Sequence, residues 1–274
     1  MKRFTDKVAV VTGAGSGIGR ALALDLAARG ARLALSDVDS VRVAETAALC
    51  EKAGARARSY ELDVADRAAV QAHADEVAGE FGRVNLVVNN AGVALSANVE
   101  DMDWADFDWL MGINFGGVVN GSKAFLPHLI ASGEGHLVNV SSVFGLIGVP
   151  TQSAYNAAKF AVRGYTEALR QEMIIARHPV RVSCVHPGGI KTNIARDARG
   201  MAGEKSDRAS VAFDRIARTS PEKAAQTILK GVERGSARIL IGPDAYVIDA
   251  IPRLLGSAYQ RPAALLGRIV LRRL

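Results

Sequence analysis

The chain has 274 residues, 49% hydrophobic and 23% charged, enough apolar mass for one full core in a single α/β-sized domain. Of its formal charge of +6, five positive charges lie in residues 251–274 (Arg253, Arg261, Arg268, Arg272 and Arg273, with no acid), leaving +1 on residues 1–250. A nearly neutral body excludes a basic nucleic-acid face on the domain itself. Cys50 and Cys184 have no metal-like spacing and a chain this long needs no disulfide staple, so both read as packing residues in a reducing, cytoplasmic compartment. Met1–Lys7 carries charges on both sides of Phe4 and does not fit a signal peptide. No run of about eighteen uncharged apolar residues is present, which argues against a spanning helix.

In chain order, Lys7–Thr12 is a short β-branched strand that ends in Gly13-Ala14-Gly15-Ser16-Gly17-Ile18-Gly19, and a helical pattern follows over Arg20–Arg29, closed by Gly30. A glycine turn between strand and helix lets backbone approach a pyrophosphate, whose charge the free N–H groups of the helix start can bind. The spacing is Thr-Gly-x-x-x-Gly-x-Gly and does not match G-x-G-x-x-G. Strand Arg32–Asp37 ends in an acid 18 residues beyond Gly19. A carboxylate there can accept from adenosine ribose hydroxyls and would repel a 2′-phosphate. With no arginine at Ser36 or Val38 and an uncharged Ser16, NAD is favoured over NADP. Asp37 could equally serve the helix that starts near Asp39. Helix Ser40–Ala53, strand Ala57–Leu62, helix Arg67–Phe81 and strand Val84–Asn89 continue the alternation, which predicts a parallel sheet with helices on both faces. Asp63-Val64 and Asn89-Asn90-Ala91-Gly92 then fall at strand C-terminal ends, where such sheets bind ligands.

The pattern predicts one long helix over Trp104–Ser132 with Asn114 inside it, then strand His136–Val140 delivering Ser141 and Ser142. A mid-helix asparagine is unfavourable by propensity and often faces solvent. Tyr155 and Lys159 are four apart, one turn apart on one helical face. A neighbouring ammonium lowers a phenol pKa and makes the tyrosine a proton-transfer group. Ser142, thirteen residues earlier across the Gly145, Gly148 and Pro150 turn, can bring its hydroxyl to the same oxygen. Val180–His186 is a buried strand ending at Pro187-Gly188-Gly189-Ile190-Lys191-Thr192, and the lone His186 reads as structural. No metal site is expected.

Thr12-Gly13-x-x-x-Gly17-x-Gly19, Asp63-Val64, Asn89-Asn90-Ala91-Gly92, Asn114, Ser142, Tyr155-x-x-x-Lys159 and Pro187-Gly188 occur in the order and approximate spacing of the short-chain dehydrogenase/reductases, and the chain resembles that family over roughly residues 5–242. The resemblance implies a single Rossmann-type domain with a seven-stranded parallel sheet, and nicotinamide-dependent interconversion of a secondary alcohol and a carbonyl. It implies Asn114, Ser142, Tyr155 and Lys159 as catalytic residues: Tyr155 the acid/base, Ser142 steadying the oxygen, Lys159 lowering the Tyr155 pKa and bonding the nicotinamide ribose, Asn114 holding a water on the proton path. It further implies cofactor contacts by Gly13, Ser16, Gly17, Ile18, Gly19, Asp37, Asp63, Val64, Asn90, Ala91, Gly92, Pro187, Gly188, Ile190 and Thr192. A homodimer or homotetramer through the helices bearing Asn114 and Tyr155 is expected on the same ground.

Residues 193–220 read as a mobile substrate lid before a helix cued by Ser220-Pro221-Glu222. Its apolar members Ile194, Met201, Val211, Phe213 and Ile216, with Val93, Leu95, Phe144, Leu146, Ile147 and Val149, suggest an apolar small-molecule substrate. Strand Arg238–Ile241 closes domain 1–243. Residues 244–274 form an amphipathic basic extension, helical over Tyr246–Leu255 and Ala263–Leu274 with interruptions at Pro252 and Pro262. Two uses of it remain open: packing on a partner subunit or over the substrate cleft, and peripheral contact with an anionic membrane. Two rival functions also remain, a catalytically silent NAD-sensing regulator and a membrane-associated lipid-handling protein. The substrate and the physiological direction are not legible.

Overall fold

Seven short runs rich in valine, leucine and alanine form one parallel sheet in the order β3-β2-β1-β4-β5-β6-β7, in a computed structural model that describes residues 1–195, 197–200 and 217–271. The strands are β1 (Val8–Thr12), β2 (Arg32–Asp37), β3 (Ala57–Glu61), β4 (Leu86–Asn89), β5 (Gly135–Val140), β6 (Val180–Pro187) and β7 (Arg238–Ile241). Every residue of β1, β4 and β5 is buried, as expected of central strands covered on both faces. One face carries α1 (Gly17–Ala28), α2 (Ser40–Lys52) and α7 (Pro221–Arg234), and Leu22, Leu26, Val43, Ile228 and Leu229 pack there against Val11, Leu33 and Leu35. The other carries α3 (Arg67–Phe81), α5 (Gly117–Ala131) and α6 (Ser153–Ile175), with Val77, Phe81, Phe125, Leu129 and Leu169 on Val10, Val87 and Leu137. The strand order reverses between β1 and β4, which opens a crevice at their C-terminal ends.

The expected long helix over 104–132 forms as an unbroken stretch to Ala131, made of α4 (Trp104–Met111), a π-helical turn at Gly112–Gly116, and α5. The wide turn inserts extra backbone where three glycines, Gly112, Gly116 and Gly117, lower the cost of distortion, and it carries Asn114. In the C-terminal extension Pro252 does not break its helix. It lies inside α8 (Pro243–Leu255), in the last turn, where the missing donor strands only the Ile248 carbonyl. Pro262 falls in the first turn of α9 (Gln260–Leu271), where N–H groups have no intrahelical partner in any case. Met201, Val211, Phe213 and Ile216 of the expected lid lie outside the described residues. The segment before them is tied to the rim of the crevice, with Arg199 N–H donating to the Ala94 carbonyl and Ser96 N–H to the Arg199 carbonyl, both at 3.0 Å. The Arg199 guanidinium lies 3.7 Å from the centre of the Trp109 ring.

His73 of α3 is buried between Tyr60 and Phe125, with ring centroids at 4.6 and 5.8 Å, and burial pushes its pKa from 6.5 down to about 4. Above pH 6.5 the folded and unfolded chains both carry the neutral ring. Between 6.5 and about 4 only the unfolded chain takes the proton, so stability falls as pH falls through that window. Urea titrations between pH 7 and 4 should show the unfolding free energy declining, with His73 contributing up to roughly 3 kcal/mol. A flat profile would mean that the ring is solvated in the folded chain.

Candidate active site

The crevice is built by lacing the ends of β1 and β4 together. The Thr12 hydroxyl accepts from the backbone N–H groups of Asn90 and Ala91, each at 3.0 Å, and the Asn90 amide donates to the carbonyls of Thr12 and Gly13 at 2.9 and 3.2 Å. The glycine turn is thereby held open over the start of α1. Side chains cap α2, α3 and α7 (Asp39, Asp66 and Ser220), but Ser16 caps nothing and no acid occupies the first turn of α1. Its leading N–H groups and positive dipole end are left for an anionic ligand, so the residues fit a dinucleotide pyrophosphate. The Asp37 carboxylate crosses the head of the turn, accepting from Gly15 N–H at 2.8 Å and Asp39 N–H at 3.1 Å. Thr192 reaches the far side, its methyl 3.1 Å from where a Cβ on Gly17 would sit. Pro187 and Gly188 end β6, and Ile190 is buried beside them, bridged to Thr219. After β3, Asp63 is exposed and closes its own turn by accepting from Ala65 N–H at 2.9 Å, while Val64 is buried against Gly117.

Ser142, Tyr155, Lys159 and Asn114 do come together. Ser142 follows β5 in extended backbone and its hydroxyl oxygen accepts from Phe144 N–H at 3.1 Å, which leaves the O–H free to donate. Tyr155, half-buried in the first turn of α6, lies edge-on to Phe144 at 6.0 Å. Lys159 is 3% exposed, with Nζ 3.1 Å from the Val140 carbonyl and 5.5 Å from the centre of the Tyr155 ring. Asn114 faces inward, fully buried, accepting from Val93 N–H and donating to the Val93 carbonyl, both at 2.8 Å. A Cβ on Gly92 would lie 3.1 Å from the Asn114 oxygen and 3.5 Å from Lys159 Nζ, so only glycine leaves the space between them open. The neighbouring Ser141 has a different task. Its hydroxyl donates to the Lys159 carbonyl at 2.8 Å and fastens α6 to β5.

Residues 7–202 match the family model described as short chain dehydrogenase. The chain is a short-chain dehydrogenase. SadH of Mycobacterium tuberculosis, named as an oxidoreductase, is 58% identical over 265 residues and 96% of each chain. Levodione reductase of Leifsonia aquatica is 39% identical over 199 residues, 72% of this chain and 74% of that one. A Burkholderia phymatum short-chain dehydrogenase/reductase crystallised with NAD superposes with a TM-score of 0.87 at 32% identity, covering 96% of this chain and 97% of that one. The dehydrogenase is thus an oxidoreductase of this family with its Rossmann-type sheet, and its neighbours bind a nicotinamide cofactor.

Burial governs the electrostatics of Tyr155 and Lys159. Burial pushes Tyr155 up to about 12, opposed by the hydrogen bond from Ser142, and burial pushes Lys159 down to about 8. Both charged forms lose hydration in the same pocket. Leu146 lines a cavity of about 370 Å³ with Arg163, Arg238, Asp249, Pro252 and Arg253. Arg42, five residues after Asp37, packs its Cβ against Gly15 and pairs its guanidinium with Asp39 at 3.2 Å, a juxtaposition that only the turn of α2 creates.

Sequence reasoning missed two contacts. His186 Nδ1 lies 3.0 Å from the Ser142 carbonyl. Asp244, in the first turn of α8, accepts from Gly189 N–H at 2.7 Å and abuts Gly188, so the extension grips the turn after β6. The only sequence signal for the latter is an acid just after a helix-starting proline. Asp244→Ala should weaken NAD binding in calorimetry by about tenfold, one charge-assisted hydrogen bond's worth, without unfolding the chain. An unchanged dissociation constant would show that the turn holds itself.

Proposed function

We propose that the chain interconverts a secondary alcohol and a carbonyl by hydride transfer with NAD, Tyr155 passing the proton. The convergence of Ser142, Tyr155 and the buried Lys159 carries this reading. The nicotinamide, when bound, supplies the hydride acceptor or donor. Gly13, Ser16, Gly17, Ile18 and Gly19 would hold its pyrophosphate, Asp37 with Asp63 and Val64 the adenosine end, Asn90, Ala91 and Gly92 the middle, and Pro187, Gly188, Ile190 and Thr192 the nicotinamide. Ser142 donates to the reacting oxygen and orients it. With its pKa near 12, Tyr155 is protonated at neutral pH and poised as the acid for carbonyl reduction. For alcohol oxidation it must first lose that proton, which nearby positive charge favours. At about 8, Lys159 is still mostly an ammonium at neutral pH and can supply that charge and relay the proton past Asn114.

NAD is favoured over NADP because the Asp37 carboxylate occupies the head of the glycine turn and Arg42 is already paired with Asp39. An apolar substrate is supported by the side chains around Tyr155: Val93, Leu95, Met102, Phe107, Trp109 and Leu110. Among the relatives, levodione reductase and a 3-oxoacyl-[acyl-carrier-protein] reductase of Thermotoga maritima are named for carbonyl substrates. The extension, counted here as a unit beyond residue 243, is fastened to the substrate side. Tyr259 Oη accepts from Gly148 N–H at 2.9 Å, and Gly267 lies close to Pro150. Among its described residues, Leu254 is 81% and Leu265 63% exposed. We read that face, with the exposed Phe160 of α6, as a contact between copies of the chain.

Cofactor reduction followed by absorbance over a panel of secondary alcohols, with NAD and NADP in parallel, should give turnover with NAD on bulky apolar members. Tyr155→Phe should abolish turnover while leaving NAD binding intact, and Asp37→Ala should narrow the preference over NADP. Near-normal activity of Tyr155→Phe would sink the mechanism. Silence of the wild type with NAD still bound would favour the regulatory alternative. Sedimentation of a Leu254→Ser/Leu265→Ser variant should show a smaller species than the wild type. Unchanged assembly, together with wild-type flotation on anionic vesicles that the variant loses, would assign the face to a membrane.

A further inference from the structure

His186 has no exposed surface, and Nδ1 is the nitrogen that faces the Ser142 carbonyl. A carbonyl only accepts, so Nδ1 carries the proton and Nε2 is the lone-pair nitrogen. Nε2 is itself buried and has no hydrogen-bond partner among the described residues. An apolar side chain would avoid that desolvation cost, so the bond at Nδ1 is the polar role the imidazole fulfils here.

The bond sits where the backbone ladder ends. Parallel pairing of β5 with β6 runs as far as Val140↔Val185, and the last rung is Ser141 N–H to the Val185 carbonyl at 2.8 Å. Beyond that rung the Ser142 carbonyl accepts from Gly145 N–H at 3.0 Å in the turn that follows, and the imidazole Nδ1 meets it from the β6 side, also at 3.0 Å. The Ser142 peptide is thereby fixed on its carbonyl side, while its hydroxyl oxygen is fixed by Phe144 N–H. Rotation of that peptide would swing the hydroxyl away from Tyr155. His186 also immediately precedes Pro187-Gly188, so one residue joins the serine's strand end to the turn assigned to the nicotinamide.

We propose that His186 is a positioning residue: its neutral imidazole adds a side-chain rung to the β5–β6 ladder and so aims the Ser142 hydroxyl at the oxygen it shares with Tyr155. The inference rests on the reading of Ser142 as catalytic. Burial, which pushes the His186 pKa down to about 4, keeps the ring in the one-proton form this requires at neutral pH.

The test is a double-mutant cycle with Ser142. His186→Leu, which removes the donor, should lower kcat by about ten- to a hundredfold, the range expected when a reacting group is displaced by up to an ångström, with KM for NAD unchanged. His186→Asn, whose amide can occupy the Nδ1 position, should recover most of that loss. In a Ser142→Ala background His186→Leu should have no further effect, because it acts through the serine. Multiplicative losses, or full activity of His186→Leu beside an inactive Ser142→Ala, would overturn the inference and leave the mechanism standing. Full activity of Ser142→Ala would instead remove the catalytic reading on which it rests. Nitrogen NMR of ¹⁵N-histidine-labelled wild type needs no variant: the proton must be found on Nδ1 of His186, and a proton on Nε2 refutes the proposal.

Discussion

The parallel register of β1, β4, β5 and β6 is the constraint on which the rest of the molecule depends. Val11 pairs with Val88, Asn89 with Asn139 and Val140 with Val185, so the four strands end within a residue or two of one another along a common edge. Every turn that leaves that edge starts from a fixed place. The glycine turn after Thr12, the Asn90–Gly92 turn, Ser142 and Pro187-Gly188 are neighbours because their strands are hydrogen-bonded neighbours. Residues separated by up to 175 positions in sequence come together in this way without being packed against one another as a core.

Within that edge, polar groups are held by backbone more than by one another. Asn114 is spent on Val93, Lys159 reaches Val140, Ser141 holds the Lys159 carbonyl, and His186 holds the Ser142 carbonyl. The side chains assigned to chemistry are thus positioned before any ligand arrives, and an enclosed site needs this if it is to avoid reorganisation during the reaction. Burial that fixes the groups also makes their charges costly, which is why Tyr155 is driven up and Lys159 down together. The pair is therefore set toward neutral tyrosine beside ammonium at neutral pH.

How far the sequence could be read differs by element in a physically regular way. β2, α3 and β7 fall at the residues expected, because alternating or 3.6-residue patterns bounded by caps are local signals. The helix expected over 104–132 is present, and only its π turn was not legible, because such a turn leaves the apolar spacing almost unchanged and shows only as glycines. Pro252 was a misleading signal, since a proline one turn from a helix end costs little that the neighbouring contacts cannot offset. That Leu146 lines the arginine-rich cavity was not legible, because orientation in a turn has no period to read.

The alternation of strands and helices along the first half of the chain, the glycine turn, the Tyr155–Lys159 spacing and the candidate acid at Asp37 were determined by the sequence alone, since each depends on residues a few positions apart. Tertiary structure alone decided which carbonyl His186 meets, that Asp244 grips the turn after β6, that Arg42 is already paired, and that burial pushes the Tyr155 pKa up. Those are contacts and desolvations set by distance in space. No local pattern encodes them, because the partner lies on another element and its approach is fixed only when the sheet and both helix layers have closed around it.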